Sequence, residues 1–151
     1  MAEENFKHII RVANTDLKGE KQISFALQKI KGVGTMFSHM VCRVAKVPKE
    51  KKAGTLNDKE VKALEEAILD PKKFSVPSWL YNRRKDYETG EDTHIISGDL
   101  KFIKENDVKR LQKTKSYKGL RLAVGLPVRG QRTKSNFRRT KGKGLGVKKK
   151  K

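Results

Sequence analysis

The apolar positions in the first third of the chain change their spacing twice. Residues 6–13, FKHIIRVA, are rich in β-branched and aromatic side chains and are followed by Asn14, Thr15 and Asp16, which predicts a short extended segment ending in a turn. From Ile23 onward the apolar residues recur at helical spacing, and the same spacing returns from Phe37. The sequence KGVG (31–34) separates the two runs. Because paired glycines relieve the conformations that a sharp reversal requires, we predict a helical hairpin closed by KGVG.

A third helix is predicted from its N-terminal signals. Asn57 is a suitable N-cap, and Glu60 stands at the third helical position as a capping-box partner. The apolar stripe is expected to face the core, the Glu65–Glu66 pair is expected to point outward, and Asp70–Pro71 ends the pattern. The stripe consists of Val61, Leu64 and Ile68. A fourth helix is predicted from the apolar spacing after Leu100 and extends to about Lys115.

The segment between these helices, about 72–99, is irregular and interrupted by proline and glycine. Trp79, Leu80 and Tyr81 are expected to anchor it on the helical body, with base stacking by Trp79 or Tyr81 as the alternative. Arg83, Arg84 and Lys85 form a basic cluster that faces either RNA or solvent. Residues 93–97, THIIS, predict a short hairpin strand.

Charge separates the last part of the chain from the rest. Residues 118–151 contain no acidic residue and hold 13 of the charges that give a formal net charge of +20, which leaves about +7 for the other 117 residues. Their few apolar residues follow neither helical nor strand period, and six glycines interrupt them. We therefore predict an extended arm that does not fold alone and that settles against a polyanion; the alternative is a tail that serves only solubility. Interspersed arginine, amide and hydroxyl side chains favour phosphate and sugar contacts.

Several classes of function are disfavoured. No apolar run approaches the roughly 20 residues of a membrane span, and the acidic start after Met1 does not resemble a secretory signal, so a reducing compartment is expected. The single Cys42 lies on a helical pattern and is expected in the core. His8, His39 and His94 lack neighbours at metal-ligand spacing, so neither a metal nor another cofactor is expected. No nucleotide-binding or hydrolase motif is present, which argues against an enzyme.

The residues 117–144, YKGLRLAVGLPVRGQRTKSNFRRTKGKG, carry a family resemblance. They resemble the C-terminal arm of the universal small-ribosomal-subunit protein thirteen, called eighteen in eukaryotes, of which GLPVRGQRTK is highly specific. Leu122, Ala123 and Val124 depart from the polar and basic residues that members usually carry there. NTDLKG (14–19) also resembles the eukaryotic branch of the family, and ISFALQKI with KGVG resembles its helix-two-turn-helix unit. The 72–99 insert is similar to its archaeal and eukaryotic members.

The resemblance implies a mainly α fold, with a helix-two-turn-helix body at 1–115, an irregular or β-hairpin insert, and a long extended basic arm at 116–151. It implies a structural component of the small-subunit head that binds ribosomal RNA, helps to bridge the subunits and lies near the P-site transfer RNA. The implied partners are that RNA, the neighbouring head protein nineteen, large-subunit bridge proteins and the transfer RNA, without a membrane. The implied location is the cytosolic ribosome, with nucleolar passage during assembly for a eukaryotic member.

The expected RNA-binding residues lie in three groups. They are Lys31, Gly32 and Gly34 in the turn; Arg83 and Arg84 in the insert; and Lys118, Gly119, Arg121, Arg129, Gln131, Arg132, Thr133, Lys134, Arg138, Arg139, Lys141 and Lys143 in the arm. One alternative remains at this point, and a second is disfavoured by the residues. A DNA- or chromatin-binding protein also suits a helical body with a basic tail. A base-excision glycosylase shares the helix-two-turn-helix unit, but Ala2 stands where those enzymes have a proline nucleophile, and the cysteines of a zinc finger are lacking.

Overall fold

A computed structural model gives the structure of the chain and describes residues 6–133. It contains two strands and five α-helices within that range, which confirms the mainly α class. They are β1 (Ile9–Val12), β2 (Thr15–Lys18), α1 (Ile23–Ala26), α2 (Thr35–Val44), α3 (Asp58–Leu69), α4 (Ser97–Lys113) and α5 (Tyr117–Val124). Single 3-10 turns lie at Leu27–Lys29, Ala53–Thr55, Pro71–Phe74 and Ser78–Leu80.

The chain divides within α4 into two compact units, 1–103 and 104–151. The division into a body and an arm at residue 115 stays a prediction.

A tight β-hairpin opens the first unit. β1 and β2 pair antiparallel with Val12 opposite Thr15, so only Ala13 and Asn14 form the turn, and both have positive φ angles (45° and 58°). Two residues of positive φ match the right-handed twist of the strands, as type I′ turns do. The Glu65 carboxylate accepts a hydrogen bond from the Ala13 N–H at 3.1 Å and so ties the turn to α3. The prediction that Glu65 points outward is therefore wrong, whereas Glu66 is exposed as expected.

The predicted helical hairpin is confirmed. α1 continues into the 3-10 turn Leu27–Lys29, the chain reverses through 31–34, and α2 follows. Buried Ser38 of α2 donates its hydroxyl hydrogen to the Ser24 carbonyl at 2.6 Å, which joins the two helices. A buried hydroxyl with a good acceptor stabilises a structure, whereas an unpaired one would destabilise it.

The capping box of α3 is present as the sequence predicted. Asn57 is the N-cap, and its N–H donates to the Glu60 carboxylate at 2.9 Å. Lys51 binds the same carboxylate at 2.7 Å. Partial burial opposes ionisation of Glu60, but the hydrogen bonds from Lys51 and Asn57 outweigh it and lower the pKa of Glu60. The start of α3 is therefore capped by side chains of the chain itself.

One apolar core joins the hairpin to α1, α2 and α3. It includes Leu17, Ile23, Val41, Leu64 and Ile68, each 0% exposed, and the last four of these lie on the predicted helical stripes. Met40, Val44 and Val61 of the same stripes are partly buried against it. Cys42 lies in the same core, as expected, and its burial raises the pKa of its thiol to about 11. A thiol that stays protonated at neutral pH is a poor nucleophile, so its position is one of packing.

The insert differs from prediction in two respects. Residues 93–97 do not form a strand, since only Thr93 makes a single bridge to Arg83 and Ser97 already begins α4. Trp79 does not anchor the segment, because its side chain is 64% exposed. Tyr81 does anchor it, since it is buried and its hydroxyl donates to the Val76 carbonyl at 3.2 Å.

The second unit begins in α4 and contains α5. The expectation of an extended chain from residue 116 is wrong for 117–124, which are helical. Ser116 caps the helix by accepting the Gly119 N–H at 3.1 Å, and Gly125 ends it with φ 72°. Gly119 is buried, and an added Cβ would overlap the Leu111 carbonyl, so only glycine permits this close approach. Local capping and packing thus form a helix that charge and composition did not predict.

Candidate nucleic-acid interface

The N-terminus of α2 is exposed and has no cap. Gly34 is the N-cap, no side chain caps the helix, and its first turn contains no acidic residue. Gly34, Thr35 and Met36 are exposed, and within residues 6–133 no hydrogen-bond acceptor is found for their backbone N–H groups. Lys31, which lies in the turn just before, is also exposed. Free N–H groups at a helix N-terminus beside a lysine form an anion site that suits a phosphate group.

The N-termini of α2 and α3 differ in a way that is informative. α3 has its capping box and two acidic residues in its first turn, Asp58 and Glu60, each bound to a lysine. α2 has neither cap nor carboxylate. The N-terminal partial charge of α3 is therefore compensated within the chain, whereas that of α2 is left for an external anion.

The two glycines of the turn have different roles. Gly32 has φ +100°, and an added Cβ would lie 2.5 Å from the Ile95 carbonyl oxygen and 3.2 Å from the Ile96 Cα. Gly34 has φ −95°, and an added Cβ would meet nothing within 4 Å. Gly32 is thus required for the insert to pack on the turn, while Gly34 keeps an open surface. Of the two predicted contacts, the structure leaves Gly34 accessible to a ligand.

Residues 94–97 of the insert cover one side of the turn. The His94 ring stacks on Phe37 of α2, with ring centroids 3.7 Å apart and planes within 9°. Asn82 binds the Ile95 backbone at both its N–H (2.9 Å) and its carbonyl (2.6 Å), and the Ser97 N–H donates to the Lys31 carbonyl at 2.7 Å. The insert therefore fixes the conformation of KGVG from outside the helical hairpin.

Burial lowers the pKa of His94 to about 4, and an interaction with the Gly32 backbone opposes this shift only in part. The neutral ring accepts a hydrogen bond from the Asn82 N–H at Nδ1, over 3.3 Å. Protonation would remove this acceptor and place a charge against Phe37. Sequence analysis considered His94 only as a metal ligand and missed this role; the adjacent Ile95 and Ile96 were the available sign of burial.

We expect acid to destabilise the first unit through His94. A folded-state pKa below the unfolded value of 6.5 stabilises the fold above pH 6.5, and this stabilisation is lost as pH falls toward 4. The loss should be on the order of 2 kcal/mol.

Urea unfolding of wild type and His94→Phe between pH 7.5 and 4.5 measures this loss. The variant keeps a stacked ring but should lose this part of the pH dependence. His39→Phe, at an exposed histidine, is the control and should follow wild type. Parallel curves for wild type and His94→Phe would contradict the expectation.

The two predicted arginines of the insert are placed differently. Arg83 is part-buried and binds Asp86 through its Nε. Arg84 is exposed and lines a polar surface pocket of about 610 Å³ with Ser78, Asn82, Lys85 and Asp92. The Asp92 carboxylate accepts the Lys85 N–H at 2.8 Å, so the pocket carries charges of both signs. Arg84 is the better placed of the two for a phosphate, and both contacts stay predictions.

The second unit presents part of the predicted arm. Lys118 is exposed, whereas buried Gly119 is closed off by Leu111, and Arg121 uses its Nε to bind the Pro127 carbonyl at 2.9 Å. After α5 a group of exposed residues follows, and no carboxylate occurs among them. They are Arg129, Gln131, Arg132 and Thr133. Lys134, Arg138, Arg139, Lys141 and Lys143 lie outside the described residues.

Two other features bear on the class of protein. No helix in residues 6–133 is long and apolar enough to cross a membrane. Across the same residues no group of three or more histidine, cysteine, aspartate or glutamate side chains is arranged to hold a metal ion.

Comparison with known proteins gives one consistent result. The family model for ribosomal protein S13/S18 matches residues 11–139. The small ribosomal subunit protein uS13 of Methanocaldococcus jannaschii is 51% identical over 151 residues, covering 100% of this chain and 99% of its own. Those of Methanothermobacter thermautotrophicus (50% identical, 99% of each chain) and Nanoarchaeum equitans (48%, 96% of this chain and 94% of its own) are similar at nearly full length.

These matches define the chain as a structural protein of the small ribosomal subunit, not an enzyme. It belongs to the ribosomal protein S13/S18 family and is of the archaeal type. It is accordingly a ribonucleoprotein component that acts in translation, on a cytoplasmic ribosome. The nucleolar passage expected for a eukaryotic member finds no support, because the three relatives are archaeal.

Proposed function

We propose that the chain binds ribosomal RNA in the head of the small subunit through two surfaces. The first is the open N-terminus of α2 with Lys31 and Gly34, and the second is the basic segment that follows α5. In that position it would lie beside head protein nineteen, contact large-subunit bridge proteins, and extend its basic end toward the P-site transfer RNA. Family membership supports this placement, and the exposed cations of the chain supply the electrostatic basis for it.

The observation that carries the proposal is the uncapped start of α2. A backbone N–H group is costly to leave without a hydrogen-bond acceptor, and at the start of α2 no side chain supplies one. A phosphate oxygen is a strong acceptor, and its charge is stabilised by the helix dipole and by Lys31. Because Gly34 has no Cβ, the RNA backbone can approach the N–H groups closely.

The basic segment supports the proposal independently. Arg129 and Arg132 are exposed on either side of Gly130, which has φ +77°. Gln131 accepts the Arg129 N–H at 3.0 Å with its side-chain oxygen, which bends the chain locally. Guanidinium groups on such an exposed segment can each bind a phosphate with two parallel hydrogen bonds.

We expect Gly34→Asp to stabilise the free protein and weaken its binding to RNA. Aspartate is a good N-cap and favours the positive helix start, so the free energy of unfolding should stay equal or rise by about 0.5 kcal/mol. The same carboxylate would occupy the N–H groups and repel a phosphate. Incorporation into small subunits, followed on sucrose gradients of cell lysate, should therefore fall, although thermal unfolding of the free variant is normal.

Gly34→Ser is the matched control, because serine caps the helix without adding charge, and it should be incorporated better than Gly34→Asp. Equal incorporation of wild type and Gly34→Asp would exclude phosphate binding at α2. Wild-type protein in a nuclease-sensitive chromatin fraction, rather than with small subunits, would favour the DNA-binding alternative.

A further inference from the structure

Three lysines surround an exposed phenylalanine where β2, α1 and the following 3-10 turn meet. They line a surface pocket of about 510 Å³, in which no acidic side chain takes part. The lining residues are Lys18, Lys21, Phe25, Ala26, Gln28 and Lys29. We call this pocket the Phe25 site. None of its residues belongs to the two surfaces proposed above.

The Phe25 ring is left exposed on a helix that otherwise contributes to the core. Its neighbours Ile23, Ser24 and Ala26 are buried, whereas the Phe25 side chain is 58% exposed. An apolar ring of this size would gain roughly 2 kcal/mol from full burial, which the described chain does not provide. The aromatic face is therefore available to an external planar group.

The lysines around this ring are held by the backbone and by one side-chain bond. Lys29 donates from Nζ to the Asp16 carbonyl at 2.6 Å, and this neutral acceptor leaves the charge of the ammonium group uncompensated. The backbone of Lys21 makes two hydrogen bonds: its carbonyl accepts the Ala53 N–H at 2.8 Å, and its N–H donates to the Lys18 carbonyl at 3.3 Å. Three cations and no carboxylate thus line the pocket around Phe25, and this arrangement favours anions.

We propose that the Phe25 site binds an unpaired nucleotide of RNA, with the base stacked on Phe25 and the flanking phosphates bound by Lys18, Lys21 and Lys29. A flat apolar face with cations around it matches the chemistry of a nucleotide in a single strand, whose bases are free to stack. A paired base in a helix does not fit, because its neighbours cover both faces. The proposal deepens the proposed function, on which it rests only in taking RNA as the ligand.

Photocrosslinking tests the site directly. The full-length protein is irradiated with an unstructured 12-nucleotide RNA containing 4-thiouridine, and with a 12-base-pair RNA duplex as the comparison. Trypsin releases 22–29, which contains Phe25, and 102–104, which contains Phe102. Phe102 is 63% exposed and lies outside the site, so it is a matched control. We expect the nucleotide on 22–29 with the single strand but not with the duplex, and retained in Phe25→Tyr.

Binding isotherms at several salt concentrations separate stacking from charge. Phe25→Leu should weaken binding of the single strand about tenfold without changing the salt dependence. Replacing Lys18, Lys21 and Lys29 by glutamine should instead reduce the slope of log affinity against log salt by about 0.7 per phosphate contact. Phe102→Leu should do neither.

Three results would overturn the proposal: no crosslink on 22–29, equal crosslinking by the duplex, or equal behaviour of Phe25→Leu and Phe102→Leu. A photoreactive benzoylphenylalanine at position 25 that crosslinks to a protein in assembled subunits, and not to RNA, would also overturn it. None of these results changes the outcome expected for Gly34→Asp, so the Phe25 site can fail while RNA binding at α2 stands.

Discussion

Replacing Gly32 by alanine should destabilise the first unit by about 2–5 kcal/mol, whereas the same change at Gly34 should have almost no effect. At Gly32 the backbone has φ +100°, which residues other than glycine rarely adopt, and the new methyl group would overlap the Ile95 carbonyl. Relief of either problem would move residues 94–97 away from the turn, with loss of the His94–Phe37 stack. At Gly34 the backbone is extended and the space is open.

Urea denaturation followed by circular dichroism measures this difference, with Gly34→Ala as the control two residues away. Gly32→Ala should also free the ring of His94, so its titration, followed by NMR, should move from about 4 toward the ordinary value of 6.5. Equal stability of Gly32→Ala and Gly34→Ala would show that the insert does not pack on the turn as described.

Changing Arg129, Arg132, Arg138 and Arg139 together to glutamine should weaken binding to small-subunit ribosomal RNA and make it less dependent on salt. Each phosphate contact releases counterions, so four lost contacts should reduce the slope of log affinity against log salt by about 3. Changing the same four residues to lysine keeps the charge but removes the planar fork. If fork geometry contributes, the lysine variant should bind with an affinity between those of wild type and the glutamine variant.

A charge-matched control comes from four lysines that are already paired with carboxylates. The pairs are Lys7–Asp58, Lys51–Glu60, Lys72–Glu91 and Lys73–Asp70. Changing these lysines to glutamine removes the same net charge but should alter the salt slope much less. An unchanged slope in the fourfold arginine variant, or an equal change in the lysine control, would mean that the arginines do not bind phosphate specifically.

Local signals in the sequence were enough for the helical body. The spacing of apolar residues predicted α2, α3 and α4, and Asn57 with Glu60 predicted the start of α3. These predictions are correct because periodicity and capping depend on residues within one or two turns of each other. β2 was not predicted, because Leu17 is its only apolar residue; the strand forms through pairing with β1 and burial of Leu17.

The candidate surfaces were predicted less completely. The motifs pointed to KGVG and to the basic segment. They predicted RNA contacts for Gly32 and Gly34 alike, and also for Gly119 and Arg121. The structure buries Gly119 beside Leu111 and engages Arg121 with the Pro127 carbonyl. Such contacts depend on which segments meet in the folded chain, whereas a motif contains only residues that are neighbours in the sequence.

By itself the sequence determined the family, the mainly α class, the helical hairpin and the strongly basic final segment, since each depends on composition, short-range spacing or a specific motif. Only the tertiary structure decided that Glu65 turns inward, that His94 stacks on Phe37, and that Phe25 is exposed among three lysines. These features come from residues far apart in the chain. Their free energies depend on burial and on the positions of partners, and both are fixed only when the elements pack together.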